Sequence, residues 1–119
     1  MANTAAVLSV SLGKQFPQLI GEDLLDHLNT RRHGITTIAI PILKSTSSHL
    51  AQMRETLKEY ETDLTVIDLT THTQSTRSYQ EYAIKLKTTP VDQLQYQGLA
   101  LYGSKKLVNK FSGNLPLLR

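Results

Sequence analysis

The sequence has 119 residues, no cysteine and a formal net charge of +3. That length fits one domain able to bury a core without cross-links, and the missing thiols exclude disulfides and thiolate metal sites. The charge is uneven: residues 1–70 carry six Lys/Arg against eight Asp/Glu, residues 71–119 seven against two, so the second half reads as a solvated basic surface or a footprint for phosphate or nucleic acid.

The chain opens on a helix, with Asn3 or Thr4 as cap, residues 5–12 as body and Gly13 as stop. Its apolar residues fall on more than one face, which predicts burial between other elements. No basic residue precedes it and no run nears the ~18 apolar residues of a membrane span, so neither a leader nor a span is expected. With no cysteine, a cytoplasmic setting follows as the expectation. Residues 16–33 read as extended or irregular, because Gly21 interrupts the apolar spacing and Asn29-Thr-Arg-Arg-His-Gly34 reads as a turn.

Residues 35–43 are rich in β-branched side chains and predict a strand, with Pro41 confining it to an edge or a bulge. Ser47 or Ser48 then caps a helix whose Leu50, Met53, Leu57 and Tyr60 share one face. Residues 64–69 predict a second strand, Tyr79, Tyr82, Ala83 and Leu86 a further helix, and Thr89-Pro90-Val91-Asp92 a short one opening on proline. Residues 98–102 predict a third strand, and Ser104 caps a last helix through Phe111 that ends at Gly113. The alternation predicts one α/β domain over residues 1–119, a three-layer α/β/α sandwich around a small mixed, partly parallel sheet.

Two segments could carry function. Residues 70–82 follow the carboxyl end of a strand, where open α/β sheets place ligands. There Arg77 could hold a carboxylate or phosphate, with Gln74, Ser75 and Thr76 as further polar partners. The bland alternative is a polar loop whose hydroxyls cap the next helix. Asp68, His72 and Ser75 invite a triad reading, but no Gly-x-Ser-x-Gly elbow supports it, and Ser75 and Thr76 are the catalytic candidates that remain. The second segment is the turn Gly103-Ser104-Lys105, where a helix start and two lysines could take an anion, against an ordinary capped turn. His27, His33, His49 and His72 lack metal-ligand spacing, so neither metal nor cofactor is expected. Tyr79, Tyr82, Tyr96 and Tyr102 could stack on bases, although tyrosines at such spacing more often belong to a core.

Gly98-Leu-Ala-Leu-Tyr-Gly-Ser-Lys-Lys-Leu-Val-Asn-Lys-Phe-Ser-Gly-Asn-Leu115 resembles the last strand, glycine turn and helix of type-2 peptidyl-tRNA hydrolases, and Leu64-Thr-Val66 their preceding strand. Over nearly the whole chain the closer resemblance is to an uncharacterised branch of that fold, Domain of Unknown Function 2000. It is carried by Asn3-Thr-Ala-Ala-Val-Leu8, Leu19-Ile-Gly-Glu-Asp23, Gly34-Ile-Thr36, Pro41-Ile-Leu-Lys44, Gln74-Ser-Thr-Arg77, Glu81-Tyr82 and the closing segment. The hydrolases place lysines where Asn3 and Thr4 stand and an aspartate where Thr70, Thr71 and His72 stand, so the resemblance implies the architecture more than the activity. It also implies a strand before the first helix. The expectation is a shortened or misassigned start, or else an open sheet edge covered by a partner copy in a homo-oligomer. Three functions follow as expectations: a noncatalytic module holding a small anionic or polar ligand between residues 75–77 and Ser104, a hydrolase on a nucleic-acid-linked substrate, and a homo-oligomeric assembly protein.

Overall fold

The computed structural model describes residues 2–118; Met1, and with it the start of the chain, lies outside them. Among the described residues, four α-helices and two small antiparallel sheets make up the α/β fold. Helix α1 spans Ala2–Gln15. Asn3 and Thr4 therefore lie in its first turn and do not cap it. It also runs past Gly13, where an added Cβ would meet no atom, and the turn at Pro17–Leu19 ends it. Only one face is buried: Leu8 and Leu12 are 7% and 9% exposed, whereas Val10 is 76% exposed. The helix is thus not enclosed between elements, contrary to the sequence expectation.

Residues 24–32 form a small hairpin, β1 (Leu24–Leu25) against β2 (Arg31–Arg32). The expected turn lies earlier than residues 29–34. Asp26 organises it, because its carboxylate accepts from the Leu28 amide at 2.9 Å and the Thr30 amide at 3.0 Å, while Asn29 takes a positive φ of 63°. The Thr30 and Leu28 amides, against some desolvation and with help from Arg32, hold the Asp26 carboxyl below its ordinary 3.8. A carboxyl depressed by folding stabilises the hairpin above its ordinary pKa, and the effect is lost as pH falls through the lowered value. The Leu28 and Thr30 amide resonances should therefore titrate together in NMR below pH 3.8. Arg32→Ala should leave most of that depression in place, since the two amides are the larger cause.

Helix α2 (Ser47–Leu57) is capped by Thr46, whose hydroxyl accepts from the His49 amide, one residue before Ser47 and two before Ser48, the caps expected. Strand β3 (Leu64–Thr70) pairs antiparallel with β4 (Tyr96–Gly103), from Leu64 opposite Gly103 to Thr70 opposite Tyr96. Helix α3 (Tyr79–Thr88) is capped by Ser78, and α4 (Lys105–Ser112) by Ser104 with Gly113 at its end. A 3-10 turn at Val91–Gln93, immediately after Pro90, takes the place of the short helix.

Two corrections to the sheet follow. Both sheets are antiparallel, so the parallel component is not found among the described residues. Residues 35–43 form no strand; they make isolated bridges, Ile20 with Thr36 and Leu43 with Leu117. Alternation along β3 and β4 separates two faces. On one, Leu64, Val66, Leu99 and Leu101 pack with Met53 and Leu57 of α2 and with Leu107, Val108 and Phe111 of α4. On the other, Gly98 lets α1 approach: an added Cβ would lie 2.6 Å from Thr4 Cγ2 and 3.1 Å from Leu8 Cδ1. Phe16 and Tyr102 stack beyond it with ring centres 4.4 Å apart.

Candidate functional site

The chain leaves β3 through a register shift at Leu69/Thr70 and a 3-10 turn at Thr71–Gln74, then enters α3. Thr70 is fully buried, and its hydroxyl lies 3.0 Å from the Tyr82 hydroxyl, which ties α3 to the strand. The next hydroxyls are turned inward on the backbone. Ser75 Oγ donates to the His72 carbonyl at 3.2 Å and Thr76 Oγ1 to the same oxygen at 2.9 Å, alongside the Ser75 amide at 3.1 Å. Glu81 accepts from the Arg77 amide at 2.7 Å and its own amide donates to Ser78 Oγ at 3.1 Å. These bonds satisfy the amides at the helix start.

The triad of Asp68, His72 and Ser75 is not assembled. Asp68 is held by Arg54 Nε at 2.7 Å, and Ser75 bonds the backbone of His72 and not its ring. The His72 Nδ1 atom is buried without a hydrogen-bond partner among the described residues. Thr73, Gln74 and Ser75 of the loop are exposed, and so is Arg77. The guanidinium makes no hydrogen bond or ion pair among the described residues, whereas Arg31, Arg32 and Arg54 are all paired.

The Gly103 turn lies elsewhere. Gly103 sits opposite Leu64, so it is at the far end of the ladder from Thr70, roughly 20 Å away at the rise of an extended strand. One ligand held between residues 75–77 and Ser104 is therefore not what the fold arranges. Gly103 itself has a structural reason: an added Cβ would lie 2.7 Å from Leu64 Cδ1 and 3.0 Å from the Asp63 carbonyl oxygen. Ser104 Oγ accepts from the Leu107 amide at 3.2 Å, and Lys105 beside it is exposed. Of the four tyrosines considered for base stacking, Tyr82, Tyr96 and Tyr102 are used internally by a hydrogen bond, burial and ring contact, and Tyr79 is 83% exposed. Among the described residues no group of His, Asp and Glu could hold a metal, and no helix is long and apolar enough to cross a membrane.

A concavity is formed by residues that the sequence reading did not bring together. It is a slot of about 290 Å³ between residues 38–43 and residues 97–102 of β4. Thr4, Leu8 and Leu12 of α1 and Leu50 and Met53 of α2 also line it, and no Asp, Glu, Lys, Arg or His does. Ile38, Ile40 and Ile42 are left 42%, 45% and 42% exposed. The available signal was the β-branched run itself, which demands a ladder partner that the described residues do not supply.

The comparisons with known proteins give a family and a fold and no activity. A family model described as a protein of unknown function, DUF2000, matches residues 1–119. A solved structure of a protein of unknown function from Agrobacterium tumefaciens superposes with a TM-score of 0.86 at 16% identity, covering 99% of this chain and 86% of that one. At that identity the likeness shows the fold alone. No curated protein matches the chain.

Proposed function

We propose, for a chain that belongs to the DUF2000 family of proteins of unknown function, that it is a noncatalytic module binding a small anionic or polar ligand at the loop before α3. The observation that carries this reading is the division of labour in that loop. Ser75 and Thr76 spend their hydroxyl protons on the His72 carbonyl, so neither has a base to activate it. Arg77 is left exposed, as are Gln74 and Tyr79 a few positions away in the chain. A planar cation with five donors recognises carboxylate or phosphate oxygens by paired hydrogen bonds, and the Tyr79 ring offers a face for stacking. The cysteine-free composition fits a cytoplasmic setting for this role. The finer architecture of the reading is a three-layer arrangement of the type-2 peptidyl-tRNA hydrolase kind. Packing of α1 on the Gly98 face and of α2 and α4 on the Leu99 face supports it.

The test is a titration with inorganic phosphate and with a phosphomonoester, followed through the Arg77 side-chain and residue 78–80 amide resonances. Arg77→Gln should weaken binding about tenfold, the loss of one charge-assisted pair, with unchanged thermal stability. Equal affinity in Arg77→Gln would overturn the site. Turnover of peptidyl-tRNA that is abolished by Ser75→Ala or Thr76→Val would replace binding with the hydrolase reading.

A further inference from the structure

We infer that the groove between α2 and α4 is a second small-molecule site, which takes a one-ring organic anion with its carboxylate at Lys110 and its ring on Phe111 and Met53. The groove has a volume of about 290 Å³. Helical spacing builds its first wall: His49, Gln52 and Thr56 recur at intervals of three and four and stand in a row on α2. Lys110, Phe111 and Asn114 line it from α4 and the turn that follows. Met53, 8% exposed, and half-buried Phe111 supply the apolar surface. The groove is separate from the slot beside β4, with which it shares Met53 alone, and it contains no residue of the Arg77 loop.

The charge of the groove is one-sided, because no Asp or Glu lines it. The Lys110 ammonium donates to the Tyr60 hydroxyl at 2.9 Å and lies 4.9 Å from the Tyr60 ring centre and 5.6 Å from that of Phe111. It has no ion-pair partner among the described residues. Two nearby acids are engaged elsewhere, Glu55 with Lys58 at 2.8 Å and Glu61 with Arg54 at 2.7 Å. A cation already held in place receives an anion at little ordering cost, and the two ammonium protons not used by Tyr60 remain for a carboxylate. On the α2 wall the Ser45 hydroxyl meets His49 Nδ1 at 2.6 Å. A ring that takes that proton on Nδ1 offers Nε2–H as a further donor, and the Gln52 and Asn114 amides can each turn an NH2 inward. The volume sets the size: sites for drug-sized ligands run from about 300 to 1,000 Å³, so this one takes a single ring with its substituent. An inorganic anion would leave the Phe111 and Met53 surface unused, and a neutral ring would leave Lys110 unused.

Benzoate is the probe, titrated into the whole chain and followed by NMR through the Phe111 ring, the Gln52 and Asn114 side-chain amides and the backbone amides of residues 49–56 and 110–114. These resonances should move along one saturable curve with a dissociation constant of about 1 mM. Benzamide has the same shape without the charge and should bind about tenfold more weakly. Inorganic phosphate, which lacks the ring, should be weaker by about the same factor. Lys110→Met should weaken benzoate about tenfold and leave benzamide unchanged. Lys110 is exposed, so this variant keeps the core intact. Asn114→Ala, beyond the end of α4, is the second variant and should weaken benzoate about threefold, the loss of one neutral hydrogen bond. No saturation by about 10 mM, ten times the expected constant, would overturn the site. So would equal affinity for benzamide, or benzoate affinity unchanged in both variants. Benzoate shifts confined to the Arg77 loop would assign the ligand there and remove this groove. Arg77→Gln should leave benzoate binding in the groove unchanged, so the two sites stand or fall separately.

Discussion

Leu57→Ala should destabilise the fold by about 3 kcal/mol, within the range for deleting a fully buried leucine side chain. Leu57 is 0% exposed and is the last residue of α2. It contacts Met53 one turn earlier and Leu64 at the start of β3, which are 8% and 2% exposed. These three residues fasten α2 to the β3–β4 pair, and Val66, Leu99, Leu101 and Phe111 pack around them. Truncation would leave a cavity that the two-stranded sheet cannot close by a small shift, because Leu64 is already set by its pairing with Gly103. A domain this size has only about 5–15 kcal/mol in total, so the loss should lower the melting temperature by roughly 10 °C. Leu57→Met keeps most of the volume and should cost less than about 1.5 kcal/mol. Denaturant unfolding of the two variants beside the parent checks the result; near-equal midpoints for Leu57→Ala and Leu57→Met would mean that this cluster is not the core.

The second large effect is expected at Arg54. Its guanidinium reaches Asp68 of β3 at 2.7 Å and Glu61 at 2.7 Å, with 15% of the side chain exposed. Burial works against the Arg54 charge, and the hydrogen bonds to Glu61 and Asp68 more than overcome it, so the group is held above its ordinary value. Arg54→Met removes the partner of Asp68 while leaving that carboxylate 25% exposed beside buried Tyr96. The cost should be about 2 kcal/mol, below that for a fully buried pair because water still reaches both carboxylates. Replacing both ends, as in Arg54→Met with Asp68→Leu, should recover most of it, since the less exposed carboxylate is then gone and the remaining one, Glu61, is 38% exposed to water. Tyr96 offers an independent readout. Desolvation first, and then the Asp68 carboxylate, raise its phenol above the ordinary value, and Arg54 partly offsets them. Ultraviolet titration of Arg54→Met should therefore show Tyr96 ionising at still higher pH; no change would mean that the pair does not act on it.

The candidate loop was legible in the sequence as a place but not as a mechanism. Its position after β3 and its hydroxyl-rich composition are visible in residues 70–78. Whether Ser75 faces a base or a carbonyl depends on how the 3-10 turn at Thr71–Gln74 folds back, and the fold gives it the His72 carbonyl. Asp68 likewise reads as a solvent-facing strand residue until α2 brings Arg54 across to it, 14 positions away in the chain. The slot was not legible at all, because its walls come from five separated segments.

Local chemistry is what the sequence determined by itself. A hydroxyl residue ahead of an apolar periodic stretch sets the start of the last helix at Ser104, as expected, and the same chemistry starts α2 at Thr46, just before the serines expected there, and α3 at Ser78. Short β-branched and apolar runs bounded by turns set the strands expected at residues 64–69 and 98–102, which the fold extends to Leu64–Thr70 and Tyr96–Gly103. Gly103 and Gly113 mark ends that follow from the same local rules. The tertiary structure alone decided which of the three predicted strands would be paired. Residues 35–43 have the composition of a strand as clearly as β3 does, yet a strand exists only where a neighbour supplies its hydrogen bonds, and that neighbour is a non-local matter. The antiparallel register decided, by the same physics, that the Arg77 loop and the Gly103 turn stand at opposite ends of one ladder and cannot share a ligand.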